Sequence, residues 1–488
     1  MPFTLKNKNI ISGFFLALAA IYCIIFLYKP GFIGYANNYD FIRHSSCVGL
    51  WSYIPDHTKT SGYAIAPSAQ LLYDGDILEG NCIRSSDNIT SYILTRFLSV
   101  GDIISFTALG SIKIFLLLAL SLLSISLSKS KIIPSVILFS ILTEWIYLAY
   151  ANTLYGEFSV ISGFTLIVLC TYNLLYEKTK KYPASQITIL IIAIFWLGLS
   201  KQQWSYLTFL ILCIASWLVY HRTIFKKSAF LLLCLSFISV SAFQLINQHS
   251  LQNETSINST NKINTFFYTV LPEATDKAQA LKTLGLPEHC NSDIGLSSYH
   301  PDQNSLNNCP EIQKVSRAKL LKLFSQDPAT LIIPIVKFTK EMELFYPDYL
   351  GLTIPGDANA LKKHEFIKKI SFSNIISKID SSVFFIIVLI LFISSFFTGL
   401  VLLFLPKKTP LELSSYMYLF TIGGLTVGYS IASSVFGDGY IEAAKHAVLF
   451  LGGVYLQIIG LTFSILLLAR LLFNKITVYR ETKINTQV

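Results

Sequence analysis

The chain has 488 residues, 53% of them hydrophobic and only 14% charged, with a net charge of +10 and a mean hydropathy of +0.55. A water-soluble chain of this length carries about 25% charged residues, so that class is excluded. The lysines and arginines lie in short stretches between apolar runs, which removes a nucleic-acid surface as the meaning of the positive charge.

Ten apolar runs, at 9–28, 103–127, 132–150, 158–176, 187–200, 204–220, 228–246, 381–405, 413–435 and 447–472, predict ten transmembrane helices. The fifth is short and suits a tilted or partly buried helix. The first has no small-residue cleavage site and is followed by Lys29 and Pro30, so it reads as a span and not a removable signal. With ten spans, Lys6 and Lys8, Lys129 and Lys131, Lys178, Lys180 and Lys181, Arg222, Lys226 and Lys227, Lys407 and Lys408, and Lys475 and Arg480 all fall on one side. The positive-inside rule makes that side cytoplasmic, with both termini inside. The expectation is an all-α polytopic membrane protein. It divides into a transmembrane module over 1–246, an outer domain over 247–380 and a second transmembrane module over 381–488.

The outer side then receives 29–102, 151–157, 201–203, 247–380 and 436–446. Cys47 and Cys82 share the first of these segments, and Cys290 and Cys309 share the largest. Two pairs outside and none in the inner loops predict two disulfides in an oxidising compartment. Cys23, Cys170, Cys213 and Cys234 lie in apolar runs, where a thiol is a small hydrophobe.

In the first outer segment the pattern predicts little regular structure beyond an amphipathic helix from Ile89 to Leu98 lying on the membrane. Asp74-Gly75-Asp76 has a carboxylate spacing that can hold a divalent ion, but the triplet is far more often a tight turn. In the largest segment a helix runs from Lys277 to Leu284 and stops at Gly285. Helical spacing recurs over 311–325 and 328–345, the latter limited by Pro334. Leu361 to Ile379 sets Lys362, Lys363, Lys368, Lys369 and Lys378 against Phe366, Ile367, Ile370, Ile375 and Ile376, as an interfacial helix or a solvated face would.

Four short polar pieces fall at the outer ends of spans: Asn37 to His44, Asn152 to Glu157, Ser200 to Trp204 and Gly437 to His446. They bring carboxylates (Asp40, Glu157, Asp438, Glu442) and cations (Arg43, Lys201, Lys445, His446) to one depth, with His44 and Gln202 beside them. Asp438, Glu442 and either Lys445 or His446 are spaced to share one helix face. Lys201 needs a partner near hydrocarbon, and Glu157, Glu144 or a ligand phosphate would serve. The inventory suits a base, an acceptor hydroxyl and an anionic leaving group. It contains no Gly-rich phosphate loop, no metal-type His or Cys spacing and no serine-hydrolase elbow.

At these residues the chain resembles the GT-C glycosyltransferases, polytopic enzymes that use a lipid-phosphate sugar donor on the non-cytoplasmic face. Their base is typically a carboxylate just after span one, the position of Asp40 in Asn38-Tyr39-Asp40-Phe41-Ile42-Arg43. Size, topology and the two large outer segments look like the serotype-converting O-antigen glucosyltransferases of bacteria and phages. No second carboxylate adjoins Asp40, so no metal and no other cofactor is expected.

The resemblance implies inverting transfer of a hexose, expected to be glucose, from polyprenyl phosphate to a surface polysaccharide on the periplasmic face of a bacterial inner membrane. Asp40 would be the base. Arg43, Lys201, Lys445 and His446 would face the phosphate, and His44, Glu157, Gln202, Asp438 and Glu442 would bind sugar or position the cations. A protein that flips the donor lipid is the implied partner. Rival readings are a flippase for a lipid-linked glycan, a polysaccharide polymerase or ligase, and a non-enzymatic scaffold. A flippase calls for midplane charges and inverted repeats, and the polar residues gather at one face instead.

Overall fold

Helix α1 (Leu5–Tyr28) opens the chain and is followed by α2 (Tyr39–Val48), α3 (Asn88–Thr95) and α4 (Phe106–Ser126). Next come α5 (Ile132–Leu142), α6 (Trp145–Ala151), α7 (Glu157–Tyr176), α8 (Ala184–Gly198), α9 (Gln202–Arg222) and α10 (Lys226–Ile246). Beyond these lie α11 (Lys277–Leu284), α12 (Ala318–Gln326), α13 (Ala329–Glu341), α14 (Ala358–Ile370) and α15 (Phe372–Ile376). The last helices are α16 (Ser381–Phe404), α17 (Leu411–Val435), α18 (Ala443–His446) and α19 (Phe450–Asn485). This computed structural model describes all residues except 1–4, 36–38, 55–56, 61–67, 79–81, 177–183, 223–225, 247–257, 302–304, 342–349, 408 and 486–488.

The protein is an all-α polytopic membrane protein. Among the described residues, seven helices are long and apolar enough to cross a bilayer: α1, α4, α7, α9, α16, α17 and the first part of α19. The predicted third span is instead two helices, α5 and α6, bent by 72° at a short break, and makes an eighth crossing if taken as one. The predicted fifth and seventh spans are helices too, α8 and α10; Ala184–Gly198 falls short of a full crossing, and Phe230–Ala242 is the fully described apolar part of the 21-residue α10. Each predicted run lies mainly in helix, and among the described residues seven or eight of the ten are long and apolar enough to be full spans.

Helix α7 is the axis of the bundle, with its whole apolar window buried. Its Ser159, Ser162, Gly163 and Thr165 let neighbours approach closely, and Thr165 and Thr171 donate back to the carbonyls of Ile161 and Ile167, both at 2.7 Å. Helices α1, α16 and α19 are apolar all round and only 22–33% buried, as lipid-facing spans should be. Helices α17 and α19 meet glycine to glycine. A Cβ on Gly423 would lie 2.6 Å from the Gly453 carbonyl, and one on Gly453 would lie 2.8 Å from the Gly423 carbonyl. Without hydrophobic drive between helices in lipid, such backbone contact supplies the packing.

The bend between α5 and α6 is fixed by Glu144. Its Oε1 accepts from the backbone N–H of Phe372 at 2.9 Å and of Ser373 at 3.1 Å, and from the Tyr455 hydroxyl. The buried acid therefore caps α15 and ties it to α19. Sequence spacing offered Glu144 to Lys201; the fold gives it this structural task.

Two further features shape the end of the bundle that carries the long loops. A four-stranded antiparallel sheet, in the order β2-β1-β3-β4, is formed by β1 (Leu50–Ile54), β2 (His57–Thr60), β3 (Gln70–Tyr73) and β4 (Ile103–Ser105). The sequence pattern predicts no sheet there, because strands of three to five residues carry at most a minimal period-two signal. The sheet joins α4 directly, where Ser105 caps the span by accepting from Thr107 N–H at 3.0 Å.

The second feature is a small separate core built of Ile263, Phe266, Phe267, Leu271, Leu281, Leu284, Ile312, Leu320 and Leu323 around the Cys290–Cys309 bridge. Helix α11 ends as predicted, with Gly285 at φ +73 closing it. Phe338, Leu350, Ile367 and Ile376, from the chain that follows, pack into the main core instead.

Candidate functional site

All four polar pieces meet around the turn between α6 and α7. The Tyr155 ring in that turn lies edge-on to Phe41 of α2 with centroids 6.3 Å apart, and the Lys445 ammonium stands 6.0 Å from its centre. His44 of α2 packs against Gly156. Gln203, in the first turn of α9, donates to the His446 carbonyl at 3.3 Å, while its own carbonyl accepts from the Tyr429 hydroxyl of α17. Residues separated by hundreds of positions thus share one locus.

Three of the cations there face a carboxylate. Lys201 pairs with Glu157, resolving its partner in favour of the near acid at the start of α7. Lys445 pairs with Glu442, and His446 Nε2 lies 3.2 Å from Asp438 and 3.9 Å from Glu442. Exposure separates the two lysines. The Lys201 side chain is 22% exposed and that of His446 17%, whereas the Lys445 side chain has no exposed surface. Lys201 and His446 can meet a ligand; Lys445 is held between Glu442 and Tyr155.

The predicted helix face over 438–446 is not what assembles these groups. Residues 437–442 form turns, Glu442 takes a left-handed conformation (φ 49, ψ 27), and only Ala443–His446 is helical. Gly437 and Gly439 break the helical path, so a loop brings Asp438 to His446. Glu442 is the one non-glycine residue at positive φ among the described residues, a conformation that costs about 1–3 kcal/mol and clusters at functional sites.

That loop is docked on the small outer core, over a π-helical turn at Asn264–Val270. Asn264 Nδ2 donates to Asp438 at 3.0 Å, and Thr269 Oγ1 accepts from Tyr440 N–H at 3.2 Å. Arg317 donates to the Gly437 carbonyl at 3.1 Å; burial pushes its guanidinium below the usual value, and Asp438 pulls it back up. Asp438, Glu442 and His446 place one donor atom each within 4.8 Å of one another, a set of metal-ligand type in which every carboxylate already engages Asn264, His446 or Lys445. A second set of this type among the described residues, at His289, Cys290 and Glu311, loses its thiol to the disulfide.

Sequence reasoning missed the strongest polar anchor. Lys113, inside α4, lies 2.6 Å from Asp87 and donates to the Thr153 carbonyl at 2.8 Å. Asp87 also accepts from Ser159 at 2.8 Å, and Ser159 accepts from the Trp196 indole at 2.8 Å. The signal was present: a lysine within an apolar run demands a partner. Gln203 was missed in favour of Gln202, which is exposed at the start of α9; a helix start turns neighbouring side chains about 100° apart, so only one faces the cluster.

Asp40 is the second residue of α2, and its side chain lies outside the described residues. Arg43 is half-buried one turn on, its carbonyl accepting from Ile83 N–H at 3.1 Å. His44 is buried and pairs through Nδ1 with Asn88 Oδ1 at 3.1 Å. Both expected disulfides are formed, and Cys47–Cys82 ties the end of α2 to the stretch leading into α3. Asp74-Gly75-Asp76 is a turn, with Asp76 N–H donating to Asp74 Oδ1 at 2.9 Å and Gly75 at φ +73.

No curated protein and no solved structure matches the chain. Residues 4–483 match the family described as the YfdI N-terminal transmembrane domain. With nearly its whole length covered, the chain belongs to that family.

Proposed function

We propose that the protein is an inverting glycosyltransferase that moves a hexose from a polyprenyl-phosphate donor to a hydroxyl of a surface polysaccharide at the end of the bundle bearing the long loops. The observation that carries this reading is the convergence on Tyr155 of α2, the α6–α7 turn, the start of α9 and the 437–446 loop. YfdI, for which the family is named, is a glycosyltransferase-like serotype-conversion protein, and that supports the class of reaction. The periplasmic placement follows from the positive-inside rule.

In this reading Asp40 takes the proton of the acceptor hydroxyl as its oxygen attacks the anomeric carbon. The bond from that carbon to the phosphate oxygen breaks, and polyprenyl phosphate leaves as an anion that needs no general acid. Lys201 and His446, the accessible cations, face the phosphate, and Arg43 stands in reserve. Glu157, Asp438 and Glu442 orient the cations, with Lys445 holding Glu442. His44 positions the Gly156 turn through contact, and Gln202 is left to a sugar hydroxyl at the exposed edge.

The test is transfer of labelled glucose in membranes containing the protein. Polyprenyl-phosphate glucose should yield labelled polysaccharide, and a nucleotide-linked glucose without the lipid carrier should not. Equal labelling from the nucleotide donor in membranes lacking the carrier would overturn the donor assignment. Movement of whole repeat units would favour a polymerase or ligase, and movement of the lipid with no transfer a flippase.

A further inference from the structure

The basic stretch after the outer core is not used by the chemistry above. Helices α14 and α15 are bolted to the ends of spans. Lys363, buried on the inward face of α14, donates to the Lys29 and Gly31 carbonyls at 2.9 and 2.8 Å, just past the end of α1. Glu144 caps α15, and the Trp145 and His364 rings are in edge contact at 4.7 Å. Asp380 then caps α16 through Ser382 and Val383 N–H. The pair is therefore held at the level where α1 leaves the membrane and α16 enters it.

Its outward surface is apolar and basic together. Leu361, Phe366, Ile370, Ile375 and Ile379 are between 37% and 58% exposed. Val383, Ile386 and Ile390 of the span that follows, α16, are exposed as well, as on a lipid-facing surface. At 100° per residue, Lys362 and Lys369 stand on the outward face of α14 between Leu361 on one flank and Phe366 and Ile370 on the other, with the exposed Glu365 as the one carboxylate beside them. Lys378 is exposed beside Ile375 and Ile379, and the Lys29 ammonium sits 4.1 Å over the Phe366 ring.

These lysines stand at the wrong end for the positive-inside rule. Ser12, near the start of α1, bonds Ser135 at 2.6 Å, which places the Lys129 and Lys131 loop at the opposite end of that helix from Lys29 and Lys363. Orientation of the chain thus does not account for a lysine row here. Solvation alone does not account for five exposed large apolar side chains among them.

We propose that α14 and α15 form an interfacial platform that binds the headgroups of acidic phospholipids, with the isoleucines and Phe366 in the acyl boundary and Lys29, Lys362, Lys369 and Lys378 on the phosphates. The full-length protein is reconstituted in nanodiscs of phosphatidylcholine mixed with phosphatidylglycerol, and the lipids it retains are counted by native mass spectrometry. Wild type should retain phosphatidylglycerol in preference to phosphatidylcholine, and each of Lys362→Gln, Lys369→Gln and Lys378→Gln should lower that preference about fivefold. A control carrying Lys277→Gln, Lys282→Gln and Lys322→Gln in the outer core should keep the wild-type preference and report any loss due to misfolding. Equal retention of the two lipids by wild type, or an unchanged preference when Lys362→Gln, Lys369→Gln and Lys378→Gln are combined, would overturn the proposal. The readout is independent of glycosyl transfer, so it stands or falls apart from the proposed reaction.

Discussion

Lys113 Nζ and Asp87 Oδ2 lie 2.6 Å apart with both side chains about 1–2% exposed, one inside a membrane span and the other at the start of α3. The same ammonium holds the Thr153 carbonyl, two residues before Tyr155, so this pair fixes the turn on which the site converges. Breaking a buried pair by removing one partner costs about 3–5 kcal/mol, because the other charge is stranded. Asp87→Asn and Lys113→Met should each lower the thermal midpoint sharply in detergent. The double variant should lose much less than the two together, which a double-mutant cycle measures.

Gly439 should tolerate no side chain. It has φ +68, and a Cβ there would lie 2.3 Å from Thr269 Oγ1 and 2.6 Å from the Asn264 carbonyl. Gly439→Ala should push the 437–442 loop off the outer core and cost about 1–3 kcal/mol. The expected signs are faster proteolysis of residues 258–327 and lower transfer, whereas Gly13→Ala, at a helical glycine with open space around it, should leave transfer unchanged.

The two exposed cations and the buried one should behave differently. Loss of a charge-assisted hydrogen bond to a ligand phosphate is worth about 1.5–3 kcal/mol. Lys201→Met and His446→Gln should therefore each lower kcat/KM for the lipid donor by roughly 10- to 100-fold. Lys445→Met should show itself first in thermal stability, since it strands Glu442 beside Tyr155.

Lys363 gives the fold a pH dependence of known sign. Burial, with the neighbouring Lys29 charge, pushes its ammonium down from 10.5 to about 8, while Asp357 works weakly the other way. Between those values the unfolded chain binds more protons than the folded one, so stability rises with pH. The penalty is fully present below pH about 8 and disappears as pH climbs from about 8 to 10.5. The thermal midpoint of wild type should gain over that window relative to Lys363→Met, which has no such proton to lose.

The parts of the fold that could be read from sequence are those set by composition along a single stretch. Apolar length marked every helix of the bundle, Gly285 marked the end of α11, and cysteine placement marked both bridges. What escaped reading depends on partners far away in the chain. The break at Glu144 is fixed by Phe372, Ser373 and Tyr455 from more than 200 residues on, and nothing local announces it. The short strands β1 to β4 are held by one another and by α4, not by their own patterning. At the site, depth was legible and geometry was not. The residues of the 437–446 piece do meet, but through glycine turns and the outer core and not along a helix face. Lys113 was legible in principle, because a charge in hydrocarbon asks for a counter-charge, yet its partner Asp87 sits in a loop that no periodicity connects to it.

The central claim is that a carboxylate at the start of α2 activates an acceptor hydroxyl at this cluster, and Asp40→Asn tests it most directly. Transfer from polyprenyl-phosphate glucose should fall by about 10²- to 10⁴-fold. Donor KM, thermal midpoint and the Cys47–Cys82 bridge should stay as in wild type. A folded Asp40→Asn protein that transfers glucose at the wild-type rate would contradict the account.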